Sequence, residues 1–122
     1  MEACEADVRR MVAALPAKAP ATPLRSRRIL VLGTSRGFQH SSIPLAAKMV
    51  EEMGKKTGAW TTEFSNDLNN LRYPKIKEYD AVFLNSIVGE WLPDPKIRED
   101  LVRYIKEGGG IGGIHGDRRA HV

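Results

Sequence analysis

The chain has 122 residues, of which 42% are hydrophobic and 28% charged, a composition typical of one globular domain with a single core. The formal net charge of +4 is mild, and the local run Arg25-Ser-Arg27-Arg28 is interpreted as the solvated start of a strand. A nucleic-acid surface would need a longer basic stripe, so no nucleic-acid partner is predicted. With the single cysteine Cys4 and no Cys/His cluster at zinc-ligand spacing, neither an internal disulfide nor a metal site is predicted.

The N-terminal segment is predicted to be an appendage. Four apolar residues fall at the i, i+3, i+4, i+7 spacing of an amphipathic helix: Val8, Met11, Val12 and Leu15. Prolines at 16, 20 and 23 then predict an extended linker, so residues 1–24 precede an α/β domain over 25–122. No apolar run is long enough for a bilayer, so no membrane partner is predicted. The start lacks a signal-peptide core, and a cytoplasmic location is the default expectation.

The remaining chain alternates strand and helix patterns. Ile29–Leu32 and Ala81–Leu84 are apolar throughout, as in strands buried on both faces of a parallel sheet. Trp60–Phe64 alternates apolar with polar residues, and Ile111–Ile114 follows a glycine run. These four segments are the predicted strands, and 66–77 is predicted to be irregular with a short helix.

Two helices are predicted between these strands. The first has an apolar face from Ile43 to Gly54 and ends near Gly58. The second begins at Asp94-Pro95, with the aspartate as N-cap and the proline in the first turn. Its predicted buried stripe is Ile97, Leu101, Tyr104 and Ile105.

This alternation predicts an α/β fold, a flavodoxin-like doubly wound parallel sheet with strand order 2-1-3-4. Such sheets usually have five or more strands, whereas eight residues follow the fourth strand here. The fourth strand is therefore expected to have an open edge. We expect a domain that is incomplete at its C-terminus and that could form a homo-oligomer through this edge.

The segment from Gly33 to Ser42 is the first candidate site, because it joins the first strand to a helix N-terminus at the ligand-binding edge of the sheet. It combines hydroxyls, a positive charge and the titratable ring of His40, which suits an anionic or polyhydroxyl ligand. The alternative is an ordinary strand-to-helix loop with its caps satisfied. The predicted ligand-binding residues here are Thr34, Ser35, Arg36, Gly37 and Ser41.

The second candidate is His115, which stands with Gly116 at the carboxyl end of the fourth strand. In class I glutamine amidotransferases a sharp turn at the corresponding place presents a nucleophilic cysteine. The residue here is a histidine, and Cys4 lies outside the α/β core. Because that acyl transfer needs a thiolate, we expect no amidotransferase activity. The alternative for His115 is a buried strand-end histidine that bonds the backbone.

The third candidate segment follows the third strand. Asn85 and Glu90 could bind hydroxyls, and Trp91 could stack on a sugar or a flat ring. Alternatively, Trp91 only covers the edge of the core.

Four segments together resemble the ThuA-like (trehalose utilisation) family: Arg28–Leu32, Gly37–Ile43, Tyr79–Asn85 and Gly108–His115. The resemblance implies a glutaminase-like flavodoxin-type fold and a role in carbohydrate utilisation, acting on trehalose, keto-disaccharides or glycosides. His40 and His115 match the two histidine motifs of the family and inherit any catalytic role. The family usually continues beyond His115 with a second half rich in His, Trp and Gly, whereas 116–122 reads Gly-Asp-Arg-Arg-Ala-His-Val. A truncated and inactive form is therefore one expectation.

Three functions remain open from the sequence. The first is a sugar-processing enzyme, or its truncated form, with His40 and His115 as acid/base or binding groups. The second is a flavodoxin-like FMN binder, in which the first loop holds a phosphate and Trp91 stacks on the isoalloxazine. The third is a non-catalytic binding or regulatory module. No cofactor is assigned.

Overall fold

The computed structural model describes residues 3–33, 42–85, 92 and 94–114, and for 42 and 43 the backbone alone. Nine elements follow one another along the described residues. In chain order they are helix α1 (Glu5–Ala14), strand β1 (Arg28–Leu32), helix α2 (Ser42–Thr57), strand β2 (Thr61–Ser65), two 3₁₀ helices (Leu68–Leu71 and Lys75–Glu78), strand β3 (Ala81–Asn85), helix α3 (Pro95–Lys106) and strand β4 (Gly110–Ile114).

The four strands form one parallel sheet in the order β2-β1-β3-β4. This arrangement confirms the predicted flavodoxin-like α/β class and strand order. The two strands with continuous apolar sequence, β1 and β3, lie in the centre, where both faces are covered. In this register Leu30 lies beside Val82, and Val82 lies beside Ile111.

The main core lies between one face of the sheet and helix α3. Leu30, Leu32 and Val82 project from the strands and pack with Leu101 and Tyr104 of the helix. The other buried members are Leu71, Ile76, Tyr79, Leu92 and Ile97. The Tyr104 hydroxyl donates a buried hydrogen bond of 3.0 Å to the Tyr79 carbonyl, which satisfies both polar groups inside the core.

The start of helix α3 is as predicted, but its buried stripe is narrower. The Asp94 carboxylate accepts a hydrogen bond of 2.8 Å from Lys96 N, and Pro95 occupies the first turn. Ile97, Leu101 and Tyr104 are buried. The prediction that Ile105 is buried with them is wrong, because Ile105 is 39% exposed. At about 100° per residue, Ile105 lies on the flank of the helix and not on its core face.

Helix α2 covers the opposite face of the sheet. Val31 of β1 and Val50 of α2 are buried there. Trp60 packs against Gly54 of α2, and its indole Nε1 donates 3.1 Å to the Val50 carbonyl. The helix stops before Gly58, whose φ of 70° favours glycine. With helices on both faces, the sheet is doubly wound.

The N-terminal helix α1 packs on α2. Lys56 of α2 donates hydrogen bonds of 2.8 and 2.9 Å to the carbonyls of Val12 and Leu15 at the end of α1. No residue of α1 is fully buried. The contact is therefore a surface attachment with a positive charge at the negative end of the helix dipole. No helix among the described residues is both long and apolar enough to cross a membrane.

The basic run before β1 is held by a carboxylate at the amino edge of the sheet. Asp80 accepts hydrogen bonds from Arg28 N at 2.8 Å and from the Arg27 guanidinium at 3.3 Å, and it forms an ion pair with Arg25 at 2.6 Å. The Arg28 guanidinium also pairs with Glu63 and Glu78. These cations therefore anchor the linker and the first strand to the sheet.

Candidate functional site

The predicted site residues end or follow the strands at the carboxyl edge of the sheet. Because the strands are parallel and Leu32 lies beside Leu84, β1 and β3 end at this edge together. Asn85 lies beside Ile114, so β4 ends there as well. The helix after β1 covers one face of the sheet and the helix after β3 covers the other, so the connections diverge between these two strands. Such a divergence creates the crevice in which doubly wound proteins bind their ligands.

Of the predicted site residues, Asn85 lies in the described part of the chain. It is the last residue of β3 and is only 2% exposed. The prediction that Asn85 stands at the carboxyl edge, at the end of a central strand, is therefore confirmed. Ten predicted residues lie outside the described residues: Thr34, Ser35, Arg36, Gly37, His40, Ser41, Glu90, Trp91, His115 and Gly116. Their roles remain predictions.

Asn66 is a candidate that sequence reasoning missed. It follows β2 directly and is exposed at the same edge. The Gly33 N–H donates 3.2 Å to the Ser65 carbonyl, and the Asn66 amide oxygen lies 3.5 Å from the point a Cβ on Gly33 would occupy. The side chain of Asn66 therefore borders the beginning of the first candidate loop. A polar residue immediately after a strand was the available signal, but the irregular pattern of 66–77 obscured it.

A set of short hydrogen bonds fixes the turn that carries Asn66. The Ser65 hydroxyl oxygen accepts bonds from Asp67 N at 2.9 Å and from the Asn70 amide at 2.7 Å. Asp67 in turn caps the first 3₁₀ helix by accepting 2.9 Å from Asn69 N. Asn, Asp and Ser side chains favour such turns because they bond nearby backbone groups. None of these bonds within the described turn involves the Asn66 amide.

The acidic side chains at the start and in the middle of α3 are held ionised. The hydrogen bond from Lys96 N, followed by that from the Arg72 guanidinium at 2.7 Å, holds the pKa of Asp94 below its usual value. Burial alone would raise the pKa of Asp100, but bonds from Lys96 and Tyr73 N outweigh burial and lower it. Neither group is suited to be a general acid at neutral pH.

Within the described ranges no group of three or more His, Cys, Asp or Glu side chains could hold a metal ion. Cys4 is exposed and precedes α1, outside the sheet. The tyrosines with raised pKa values lie toward the other end of the strands. Burial, followed by the hydrogen bond with Glu63, raises the pKa of Tyr79, and burial raises the pKa of Tyr104 to about 12. At the carboxyl edge the described residues supply the exposed Asn66 amide and, at the start of α3, the Arg72–Asp94 ion pair.

The parallel order 2-1-3-4 and the crevice between β1 and β3 define a flavodoxin-like, doubly wound α/β domain. Residues 28–120 match the model of the ThuA family, which is described as trehalose utilisation. The chain therefore belongs to the ThuA family. No curated protein and no solved structure matches it.

Proposed function

We propose that this protein serves carbohydrate utilisation by binding a sugar of the trehalose or keto-disaccharide type at the carboxyl edge of the sheet. The observation that carries the proposal is the family match over 28–120, which includes both predicted histidine motifs. The crevice between the ends of β1 and β3 supports the same location.

The polar groups of the described edge suit a ligand rich in hydroxyls. The exposed Asn66 amide lies beside Gly33 at this edge. Amides donate and accept hydrogen bonds at once, as sugar hydroxyls do.

In this proposal His40 and His115 bind or protonate the sugar from two positions on one edge. They follow β1 and β4, which are separated by β3. The ends of β1 and β4 lie two strand spacings apart, about 10 Å, which suits groups on either side of a sugar unit. If the chain is catalytic, the two imidazoles are the acid/base pair.

Neither the family match nor the described residues favour the FMN-binding or the regulatory alternative. A titration with FMN distinguishes the first of them, because a flavodoxin-like protein would take up the yellow cofactor.

The test is isothermal titration calorimetry of the full chain with trehalose and with a keto-disaccharide, followed by chromatography of the sugar. Loss of one hydrogen-bonding group costs about 1–2 kcal/mol, so His40→Ala and His115→Ala should each weaken binding about tenfold or more. Asn66→Ala should also weaken binding while the free energy of unfolding stays unchanged, because this side chain is exposed.

The matched control is His121→Ala, which removes the third histidine, outside both motifs. It should bind as the unaltered chain does. Equal affinity of His40→Ala and the unaltered chain would remove His40 from the site. Absence of sugar binding by the unaltered chain would contradict the proposal as a whole.

A further inference from the structure

A cavity of about 550 Å³ lies between the linker and the end of helix α2, at the amino edge of the sheet. One wall consists of linker residues 22, 23 and 25–27, and the other is formed by the last turns of α2 and the start of β2. Ligand cavities usually measure about 300–1,000 Å³, so this one has room for a small molecule. It lies at the end of the strands opposite the proposed sugar site. We call it the linker cavity.

Hydrogen bonds and close packing hold both walls of the linker cavity in place. The Arg27 carbonyl accepts bonds from Thr61 N at 2.9 Å and from the Thr61 hydroxyl at 3.3 Å. On the other side, the Trp60 indole donates 3.1 Å to the Val50 carbonyl of α2 and packs closely on Gly54. The cavity is therefore formed by the folded chain before a ligand enters, which lowers the entropic cost of binding.

The described side chains that line the cavity carry an excess of positive charge. Three of them are cations, Arg25, Arg27 and Lys55, and none is acidic. The carboxylate of Asp80, which is not among the lining residues, pairs with Arg25 at 2.6 Å and with Arg27 at 3.3 Å. Because one negative charge pairs with two guanidinium groups, the cluster remains cationic.

Lys55 contributes a charge that its neighbours hold only loosely. Its Nζ lies 3.9 and 4.0 Å from the carboxylates of Glu51 and Glu52, at the outer limit of an ion pair. The same two carboxylates lie closer to Lys48, at 2.8 and 3.4 Å. Since 64% of its side chain is exposed, Lys55 can turn toward an anion in the cavity.

These groups suit an anion with several oxygens. Guanidinium groups bind phosphate oxygens through paired N–H donors. The bonds to Asp80 use Nη2 of Arg25 and Nη1 of Arg27, which leaves further N–H groups on each side chain for a ligand. The Ser26 hydroxyl is another donor at the cavity wall, and Trp60 provides an apolar surface for an organic group.

We propose that the linker cavity binds the phosphate group of a small phosphate monoester. Arg25, Arg27 and Lys55 hold the phosphate, and Trp60 covers the organic part of the ligand. A phosphate monoester carries a charge of about −1.5 to −2 at neutral pH, which matches an excess of cations. A bound ligand would also tie the linker to α2. This site does not depend on the proposed sugar site, which lies at the other edge of the sheet.

The first test is isothermal titration calorimetry of the full chain with inorganic phosphate and with glucose 6-phosphate, at constant ionic strength. Both should bind, and the ester should bind more tightly, because only the ester has an organic group to cover Trp60. Equal affinity for the two would contradict the role of Trp60 and leave free phosphate as the ligand.

Fluorescence locates the bound ester. The chain has two tryptophans, so a Trp91→Phe variant reports on Trp60 alone. Glucose 6-phosphate should change this fluorescence, whereas uncharged glucose should leave it unchanged. A signal that does not respond to the ester would place the ligand outside the linker cavity.

The second test removes single charges from the cavity. Lys55→Gln and Arg25→Gln should each weaken binding of glucose 6-phosphate about tenfold, as expected when a hydrogen bond to a charged group is lost. Lys106→Gln removes the same charge at the end of α3, outside the cavity, and should bind as the unaltered chain does. Arg25→Gln also loses the pair with Asp80, so its free energy of unfolding is measured alongside, and Lys55→Gln decides the outcome if Arg25→Gln does not fold.

Absence of binding by both phosphate compounds would overturn the proposal. Full affinity in Lys55→Gln, or an equal loss of affinity in Lys106→Gln, would overturn it as well. Asn66→Ala separates this site from the proposed sugar site, because it should leave binding of glucose 6-phosphate unchanged. If the ester lost affinity in Asn66→Ala and kept it in Lys55→Gln, it would be a ligand of the carboxyl edge. Binding of glucose 6-phosphate without any binding of trehalose or a keto-disaccharide would contradict the proposed function alone.

Discussion

Gly54 of α2 illustrates how one neighbour outweighs an intrinsic residue preference. In an exposed helix, alanine is more favourable than glycine by about 1 kcal/mol. At Gly54, however, an added Cβ would lie 2.5 Å from the Trp60 indole nitrogen and 2.7 Å from the Trp60 carbonyl oxygen. The backbone oxygen cannot move away without shifting the start of β2, so close packing requires glycine here.

We therefore predict that Gly54→Ala destabilises the protein by about 1–3 kcal/mol, the usual cost of overpacking, despite the gain in helix propensity. The measurement is the free energy of unfolding in urea. Gly33→Ala is the matched control, since its Cβ would meet only Asn66, at 3.5 Å. A stabilised Gly54→Ala would mean that Trp60 does not pack on the helix.

At the scale of elements, the attachment of α1 depends on a few surface contacts. The helix has no fully buried residue and no basic residue in its own last turn. Lys56 of α2 supplies that positive charge by bonding the Val12 and Leu15 carbonyls. A cation at a helix C-terminus contributes about 0.3–1 kcal/mol. The helix should therefore open locally before the domain unfolds.

We predict that Lys56→Gln makes amide hydrogen exchange in α1 a few-fold faster while the urea midpoint of the whole domain hardly changes. Lys55→Gln is the control, because Lys55 reaches only the Glu51 and Glu52 carboxylates, at 3.9 and 4.0 Å. Unchanged exchange in α1 of Lys56→Gln would show that these two bonds do not hold the helix.

At the scale of the whole molecule, Asp80 connects three parts of the chain. Its carboxylate bonds the basic run, and its backbone bonds β1 on one side and β4 on the other. Burial alone would raise the pKa of Asp80, but the hydrogen bonds from Arg28 N and Arg27 and the charge of Arg25 outweigh burial and lower it. Folding therefore favours the ionised carboxylate.

This linkage predicts acid sensitivity. The stabilisation by Asp80 is present above the pKa of the unfolded chain, near 3.8, and is lost as the pH falls through the lower pKa of the folded chain. Urea midpoints should fall as the pH is lowered from neutral to below 3.8. Asp80→Asn should be less stable at neutral pH and lose less on acidification. Glu99→Gln, at a 74% exposed side chain, should behave as the unaltered chain; a steep acid loss kept by Asp80→Asn would contradict this role.

Most of the fold was predictable because it depends on the properties of residues that are close together in the chain. Apolar runs marked β1 and β3, and Asp94-Pro95 marked the start of α3, since a cap and a first-turn proline act within one helical turn. Because the strands are parallel, the ends of β1, β3 and β4 then lie at the carboxyl edge of the sheet. For the candidate site, the position of Asn85 at the end of β3 followed from the pattern, whereas the position of Asn66 beside Gly33 did not.

The features that the sequence pattern did not predict depend on contacts between residues that are far apart in the chain. Ile105 has the residue type of a core position, yet its neighbours leave it on the open flank of α3. Three other features join residues that no helical or strand periodicity relates. They are the contact of Asn66 with Gly33, the clash that forbids a Cβ at Gly54, and the bonds of Lys56 to α1. The amino-acid sequence therefore specifies the helices and strands and the order of the strands in the sheet, because these depend on short-range interactions. Close approach between elements is fixed by packing of the folded chain.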